Sequence, residues 1–279
     1  MVRLLFFIIV LEQTIEMKLP ELTALYSDLD WQYNNAMSGP YIDYRDKTDD
    51  GETVAGLKDG RITGAWRPMV CVGTKSWQKS EIQRLWEISQ DIYYMDFLID
   101  GELSEVSRFL LAKGYRVRPV YTQIVDLTKS LAELKAGLRK SYKSLVNKYE
   151  GIRLIDIGEY KFLHESIKKK SRSIKTWDIQ FQMKPSIGRQ GDCAVMFYQN
   201  EEGAAYYASA VGDNVHALIW SWIIGSNLLY KFVELGEQVF SVGQVMLDGK
   251  PATQKNVNIS LFKKGFGGVT QTRLILEKQ

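Results

Sequence analysis

Apolar side chains recur at helical spacing early in the second quarter of the chain. Ile82, Leu85 and Trp86 fall on one helix face, so we predict a helix over about residues 78–90. The apolar run from Tyr93 to Ile99 that follows is typical of a strand.

The same alternation repeats directly afterwards. Val106, Phe109 and Leu110 share one face of a predicted helix from Glu102 to Lys113, and Gly114 ends it. Strands that alternate with helices in this way indicate an α/β layer.

A further strand, Tyr121 to Leu127, precedes a helix with a clear start signal. Ser130 and Glu133 have the spacing of a capping box, and the apolar pattern predicts a helix that runs on to Gly151. One face of this helix is basic. Its positive residues are Lys135, Arg139 and Lys143. Ordinary solvation explains most such faces, and phosphate binding is the alternative.

Three strands joined by hairpin-length turns come next, so they should be antiparallel. They are Cys193 to Gln199, Ala204 to Val211 and Val215 to Ile223. We predict a short helix after them, from about Ser226 to Leu235, which Gly236 ends.

The chain closes with a predicted strand from Gln238 to Val242, a segment from Asn256 to Phe262, a glycine turn and a last strand from Val269 to Leu276. The fold class is therefore α/β (α+β), with a mixed, mostly antiparallel sheet flanked by helices. This element order is typical of the GCN5-related N-acetyltransferase fold.

Composition narrows the function classes. Hydrophobic residues make up 45% of the 279 residues, which excludes a disordered chain, and 36 basic against 33 acidic residues give a formal net charge of only +3. So small an excess does not indicate a protein that coats nucleic acid, and we expect no DNA partner. With two cysteines and two histidines we predict neither a disulfide framework nor a metal site.

The N-terminal apolar run, Leu4 to Leu11, is too short to cross a bilayer, which takes about 20 residues. Arg3 before it is typical of a signal peptide, but no small-residue cleavage site follows. We expect a buried opening strand, or Met17 as the true start, and a cytoplasmic protein without a transmembrane segment.

Three segments together carry a resemblance to a known group. Its motifs are Thr122 to Leu127 with Leu134 and Leu138-Arg139-Lys140, then Leu228 to Gly236 with Gln238 to Gly243, and the C-terminal Phe-Lys-x-x-Phe-Gly pattern within Leu261 to Gly268. The sequence resembles the FemAB-like branch of the GCN5-related N-acetyltransferase (GNAT) superfamily, which includes peptidoglycan-bridge aminoacyltransferases and BioF2-like acyltransferases. The resemblance covers roughly residues 68–279.

The resemblance implies two tandem GNAT-like halves, because members of this branch often contain two. Residues 1–120 would form a degenerate N-terminal half that shapes the acceptor cleft. Residues 121–279 would form the acyltransferase half.

The resemblance also implies site residues. Lys263 would donate to the oxyanion of acyl transfer, and Arg139, Lys140, Lys143 and Phe262 would contact substrate. The alternative is that Phe262 packs and that Lys263 is solvated.

Coenzyme A phosphates are expected at the N-terminus of the helix after the third antiparallel strand, at Gly225, Ser226 and Asn227. Ser226 as a plain helix cap is the competing interpretation. Trp220, on the predicted strand that would border the pantetheine arm, and His216, as a base for the acceptor amine, complete the candidates. Core packing is the alternative role for both.

The leading hypothesis is an N-acyltransferase that uses acyl-CoA, with acetyl-CoA the expected donor, and acts on an amino group of a sugar nucleotide or cell-envelope precursor. An aminoacyl-tRNA-dependent aminoacyltransferase is the first alternative. A non-catalytic relative that binds a ligand in the same cleft is the second.

Overall fold

The computed structural model describes residues 41–65, 67–147, 151–168, 172, 174–200 and 203–278. The predicted opening strand at Leu4 to Leu11 and the alternative start at Met17 lie outside the described residues.

The N-terminal region consists of short strands and two helices. Its strands form two three-stranded sheets, in the orders β1-β4-β5 and β2-β3-β6. The strands are β1 (Tyr41–Asp43), β2 (Asp46–Thr48), β3 (Gly51–Val54), β4 (Gly56–Lys58), β5 (Arg61–Thr63) and β6 (Val70–Gly73). Helices α1 (Lys75–Ile88) and α2 (Glu105–Ala112) confirm the two helices that the apolar spacing predicts.

An eight-stranded sheet forms the centre of the molecule. Its strands are β7 (Tyr94–Asp96), β8 (Arg116–Asp126), β9 (Arg153–Leu154), β10 (Ser186–Gln190), β11 (Cys193–Gln199), β12 (Ala204–Val211), β13 (Phe232–Gln238) and β14 (Val269–Glu277). The spatial order is β7-β14-β8-β13-β12-β11-β10-β9, and only β12 and β13 pair in parallel. The mixed, mostly antiparallel sheet of the predicted fold class is therefore confirmed.

Helices cover both faces of this sheet. They are α3 (Leu131–Gly137), α4 (Ile157–Lys168), α5 (Ile174–Gln182), α6 (His216–Gly225) and α7 (Gln254–Lys264). Tyr160 and Trp177 pack with Met196 on one face, whereas Leu218 and Phe266 pack on the other. Each face thus has its own hydrophobic core, as a two-sided sheet requires.

One predicted strand is a helix. The segment Val215 to Ile223 forms most of α6, so His216 and Trp220 lie on a helix and not on a strand. Five residues of α6 are buried on several sides of the helix, and a continuous apolar run of this kind does not reveal its periodicity.

In the segment after α6, the predicted helix and the predicted strands do not match the structure. The helix predicted from Ser226 to Leu235 is wrong, because Phe232–Gln238 is strand β13, held between β8 and β12. The strand predicted from Gln238 to Val242 therefore begins too late. The segment Asn256 to Phe262 is part of helix α7, which a capping box between Thr253 and Asn256 starts.

The helix predicted from Ser130 to Gly151 is confirmed only in its first turns. The capping box of Ser130 and Glu133 is present, but α3 ends at Gly137 and Leu138 is extended. Arg139 donates its backbone N–H to the Gly265 carbonyl at 2.9 Å instead of to its own helix. A short 3-10 turn at Lys140–Tyr142 follows.

The division of the chain at residue 120 remains a prediction. That position lies inside β8, which pairs with β13 on one side and β14 on the other.

Candidate active site

A gap opens in the central sheet where its two parallel strands separate. β12 and β13 pair over three residues, from Ala204 opposite Phe232 to Tyr206 opposite Glu234. Both strands then continue without pairing to each other. At the same place β13 has a bulge against β8, between Glu234 and Gly236, and Gly236 adopts a φ of 95°. The bulge redirects the end of β13 away from β12.

The side chain of Lys263 reaches this gap from the last turn of α7. Its Nζ donates to the Glu237 carbonyl oxygen at 3.5 Å. A Cβ atom on Gly236 would lie 2.9 Å from this Nζ and 3.3 Å from the Tyr206 hydroxyl. The absence of a side chain at Gly236 therefore leaves the room that the Lys263 ammonium occupies.

Burial among protein atoms makes the Lys263 ammonium a stronger acid than that of an ordinary lysine. Desolvation lowers the pKa of Lys263 from 10.5 to about 8, against the opposing attraction of Glu234 and Glu237. At neutral pH the group is still mainly protonated, and it gives up its proton more readily than an ordinary lysine. An ammonium in this state can donate a hydrogen bond to developing negative charge.

A hydrogen bond between α7 and the end of β13 explains why Lys263 lies at the gap. The buried Ser260 hydroxyl accepts the backbone N–H of Val239 at 2.9 Å, just after β13. The helix is therefore fastened to the end of the bulged strand, one turn before Lys263.

A buried group of charges lies beside the gap. The Glu234 carboxylate is fully buried and accepts from the Thr122 hydroxyl at 2.8 Å, from Arg273 at 3.1 Å and from Arg67 at 3.3 Å. The Arg67 guanidinium also lies 5.0 Å above the Tyr206 ring. Buried charges are stable only when paired in this way.

These side chains border a small pocket. Its lining consists of Arg67, Met95, Val120, Tyr121, Thr122, Glu234, Glu237, Leu247 and Arg273. Charged and apolar side chains therefore meet at this one small pocket.

A loop after β13, residues 239–253, covers one side of the pocket, and we call it the strap. Its Leu247 carbonyl accepts from the Tyr93 hydroxyl at 2.6 Å, and the Met246 carbonyl accepts from Arg118 at 2.9 Å. Its Leu247 N–H donates to Glu237 Oε1 at 2.5 Å. Arg118 also donates to the Leu247 carbonyl at 3.2 Å, so four hydrogen bonds hold the centre of the strap in place.

The structure brings several predicted site residues together near the gap. His216, the first residue of α6, packs edge-on against Tyr142 at 4.4 Å and against Phe262 at 5.0 Å between ring centroids. The exposed side chains of Lys140 and Lys143 flank Tyr142 in sequence. The basic segment and the N-terminus of α6 therefore lie next to the end of α7 that carries Lys263.

Arg139 has a structural partner in this cluster. Its Nη2 donates to the Leu261 carbonyl at 2.7 Å, and its guanidinium lies 5.3 Å from the Tyr142 ring. A cation at this position also complements the negative end of the α7 dipole. Arg139 is exposed, so its remaining donors face solvent.

His216 and Trp220 differ in exposure. His216 is half-buried, desolvation lowers its pKa, and its Nδ1 has no hydrogen-bond partner among the described residues. Burial therefore favours its neutral imidazole form. Trp220, one turn further along α6, is buried in the hydrophobic core on that face of the sheet.

The phosphate site was predicted at Gly225, Ser226 and Asn227 because these residues were expected to begin a helix. That expectation is wrong. These residues stand at the C-terminal end of α6, where carbonyl groups carry partial negative charge. Asn227 also gives both amide protons to the carbonyls of Leu127 and Lys129, at 2.7 and 2.8 Å. The free N–H groups of α6 lie at its other end, around His216, where no side chain caps the helix.

Sequence analysis missed the buried charges. Glu234 stands between Val233 and Leu235, and Arg273 between Thr272 and Leu274. A single charge inside an apolar strand was the available signal, because such a charge requires a buried partner.

No group of three or more potential metal ligands occurs among the described residues. Within the same ranges, no helix has the length and apolar character to cross a bilayer.

Comparison with known proteins shows which solved structures share this fold. No family model and no curated protein matches the sequence. The crystal structure of FemX matches with a TM-score of 0.64 at 9% identity, over 91% of this chain and 94% of that one. The chain has the fold of FemX. The fold that the sequence resemblance implies is therefore confirmed.

Two further structures share the FemAB-like fold. A conserved protein of unknown function from Bacteroides thetaiotaomicron matches with a TM-score of 0.59 at 10% identity, over 91% of this chain and 90% of that one. A C-terminal DUF2156 domain from Agrobacterium fabrum, described as part of a lysylphosphatidylglycerol synthetase, matches with a TM-score of 0.55 at 10% identity, over 91% and 92% of the two chains.

Proposed function

We propose that this FemAB-like protein is an N-acyltransferase that moves an acyl group from acyl-CoA to an amino group of a sugar nucleotide or cell-envelope precursor. The observation that carries the proposal is the Lys263 ammonium at the gap between β12 and β13. It is desolvated, has a lowered pKa and contacts the backbone carbonyl of Glu237, whose side chain lines the neighbouring pocket.

Acyl transfer to an amine requires a donor carbonyl beside the nucleophile and a hydrogen-bond donor for the oxyanion that forms. Lys263 can supply that donor without a histidine. Removal of one oxyanion donor typically costs about 10²–10³-fold in kcat.

The phosphates of the acyl donor would bind at the N-terminus of α6. The N–H groups there are uncapped, and Tyr142 and His216 link this helix end to the segment that bears Lys140 and Lys143. Free backbone N–H groups with nearby lysines favour an anion. Arg139 would contribute the donors that Leu261 does not use.

Aminoacyl transfer from charged tRNA is the second candidate. Two observations favour it, the exposed basic side chains beside the site and the likeness to FemX. The exposed bases are Lys135, Arg139, Lys140 and Lys143. Binding of RNA through such groups would weaken steeply as salt increases.

One experiment separates the candidates. The wild type, Lys263→Ala and the control Lys264→Ala are assayed with a panel of amino-sugar nucleotides, once with acetyl-CoA and once with charged tRNA. We expect turnover with acetyl-CoA, a loss of about 10²–10³-fold in Lys263→Ala, and wild-type rates in Lys264→Ala, because Lys264 is exposed.

The other outcomes are equally clear. Equal rates for the wild type and Lys263→Ala would refute the role of Lys263. Turnover only with charged tRNA would establish the second candidate. Calorimetric binding of coenzyme A or a nucleotide sugar without any turnover would identify a non-catalytic relative.

A further inference from the structure

The Lys263 nitrogen is held loosely by the protein around it. An ammonium can donate three hydrogen bonds, and Lys263 Nζ donates one, to the Glu237 carbonyl at the long distance of 3.5 Å. It forms no ion pair with any described residue. The surroundings therefore contribute little that would be lost if this nitrogen became uncharged.

The two carboxylates that attract the Lys263 ammonium have other partners. Glu234 pairs with Arg273 at 3.1 Å, and Glu237 accepts the backbone N–H of Leu247. Deprotonation of Lys263 thus breaks no ion pair within the part of the chain that the structure describes.

The neutral form of Lys263 is well populated near neutral pH. With a pKa of about 8, about one tenth of the Lys263 amines carry no charge at pH 7, against about 0.04% for an ordinary lysine. Only the neutral amine has the lone pair that attacks a carbonyl. The available fraction of nucleophile is therefore about 200-fold larger than for an ordinary lysine.

A hydrogen-bond donor to a carbonyl oxygen also lies close to the carbonyl carbon. In the proposed function, Lys263 donates to the oxyanion that forms on the acyl donor. A nitrogen about 2.8 Å from that oxygen is roughly 3.6 Å from the carbon, close to the near-attack range of about 3–3.5 Å. With no acceptor bound, Lys263 is the amine that this geometry places beside the thioester.

We propose that the acyl donor acylates Lys263 itself when no acceptor amine is bound, and that this modification inactivates the protein. The inference rests on the proposed function and adds a modification site to it. The co-reactant is the same acyl thioester that the proposed function uses.

The step balances as follows. The ammonium first gives one proton to solvent. The lone pair of the neutral Nζ then attacks the thioester carbonyl carbon, so the C–N bond forms and the C–S bond breaks. The departing thiolate takes the second proton that the nitrogen loses. The products are an N-acyl-lysine and a free thiol.

Acylation removes the property on which the proposed mechanism depends. An amide nitrogen carries no charge, so the modified Lys263 can no longer meet developing negative charge as an ammonium. A bound acceptor competes for the same carbonyl carbon and protects Lys263. The modification therefore accumulates when acyl donor is present and acceptor is scarce.

Lys264 provides an internal comparison, because it is the next residue and its side chain is exposed. Exposure alone would make Lys264 the more reactive of the two lysines. We incubate the full chain with acetyl-CoA at pH 7 without an acceptor and locate acetyl groups by peptide mass spectrometry. Lys263 should carry at least about 10-fold more label than Lys264. In the urea-unfolded chain the two should label equally, and equal labelling in the folded chain would overturn the inference.

The pH dependence of the label tests whether the buried amine is the nucleophile. The groups that face Lys263 are Glu234 and Glu237 on β13, Tyr206 on β12 and Arg67, and desolvation outweighs their charges. The labelling rate at Lys263 should rise about 10-fold from pH 7 to pH 9 and then level off, whereas an ordinary lysine gives about 100-fold. A rise of about 100-fold at Lys263 would contradict the proposal.

A kinetic experiment connects the label to activity. After incubation with acetyl-CoA alone, turnover by the wild type should fall in proportion to the labelled fraction of Lys263, and acceptor present from the start should prevent the loss. The control Lys264→Arg should lose activity like the wild type. Lys263→Arg cannot form the amide and should keep whatever rate it starts with. Full wild-type turnover with Lys263 labelled would refute the inactivation.

The outcomes separate this inference from the proposed function. Label on Lys263 with no turnover of any acceptor would leave the modification site standing and remove the proposed acceptor reaction. Turnover with no label on Lys263 would overturn the modification and leave the proposed function in place. The absence of both label and turnover would overturn both.

Discussion

Lys263 has an ammonium that folding removes from water, and this has a consequence for stability. Its pKa is about 8 in the folded chain and 10.5 in the unfolded reference. Between these two values the unfolded chain binds more protons, so the free energy of unfolding rises with pH there. Below pH 8 both states are protonated, and the burial cost is present in full.

We therefore predict that Lys263→Met changes the pH dependence of stability. Relative to this variant, the wild type should gain about 3 kcal/mol as the pH rises through the interval, since one pKa unit corresponds to about 1.4 kcal/mol. Urea unfolding at pH 7 and pH 10 measures the difference. Lys264→Met, which removes an exposed ammonium, should give the same difference at both values.

Lys263 and Glu237 show how far residue-scale prediction reaches. The C-terminal motif pointed to Lys263, because motif residues keep their spacing in the sequence, and its role in acyl transfer stays a prediction. Glu237 carries no motif. Its position depends on a bulge that only the pairing of β13 with β8 reveals. Arg67 joins Glu234 from 167 residues away, a distance at which no local pattern operates.

The turn between α7 and β14 is the element whose geometry depends most on glycine. Gly268 has a φ of +79°, and a Cβ there would lie 2.0 Å from the Ile124 carbonyl oxygen. Gly249, in the strap, has the same φ with open space around it. The two glycines share the same backbone conformation and differ in what surrounds them.

We predict that Gly268→Ala destabilises the fold much more than Gly249→Ala. The left-handed conformation alone costs about 1–2 kcal/mol for alanine, which is the expected loss at Gly249. Gly268→Ala must in addition push β8 away from the turn, and we expect at least twice that loss or failure to fold. Denaturant unfolding of both variants tests this. Equal losses would mean that β8 does not constrain the turn.

Among the secondary-structure elements, the two strands of the hairpin were predicted correctly, whereas the continuous apolar runs led to wrong predictions. Cys193–Gln199 and Ala204–Val211 are strands with the predicted bounds, because alternation and turn residues act locally. α6 was predicted as a strand, since its side chains are buried around most of the helix. For Phe232–Gln238, pairing with β8 and β12 determined the conformation.

The whole molecule is joined through the charges around Glu234. Thr122, Glu234 and Arg273 connect β8, β13 and β14, and Arg67 adds the N-terminal region. The Arg273 side chain is 2% exposed, so water cannot replace it if it is lost.

We predict that Arg273→Met destabilises the protein by about 3–5 kcal/mol, because the Glu234 carboxylate loses the nearer of its two cationic partners. The double variant Arg273→Met with Glu234→Gln should recover part of this loss. As a control, Arg153→Met removes a surface pair with Glu159 and should cost less than about 1 kcal/mol. Similar losses for the two single variants, in urea unfolding, would contradict a structural role for the buried group.

The sequence by itself determined the fold class, the two strands of the hairpin and the capping box of Ser130 and Glu133, and it singled out the lysine of the C-terminal motif as a candidate. Each of these follows from residues close together in the chain, where periodicity, turn chemistry and caps act. Only the tertiary structure decided that α6 is a helix, that its free N–H groups lie around His216 and not at Asn227, and that Glu237 faces the pocket. Those features depend on strand pairing and on buried charges brought together from distant segments, because burial and pairing energies belong to the assembled sheet and not to any one stretch of chain.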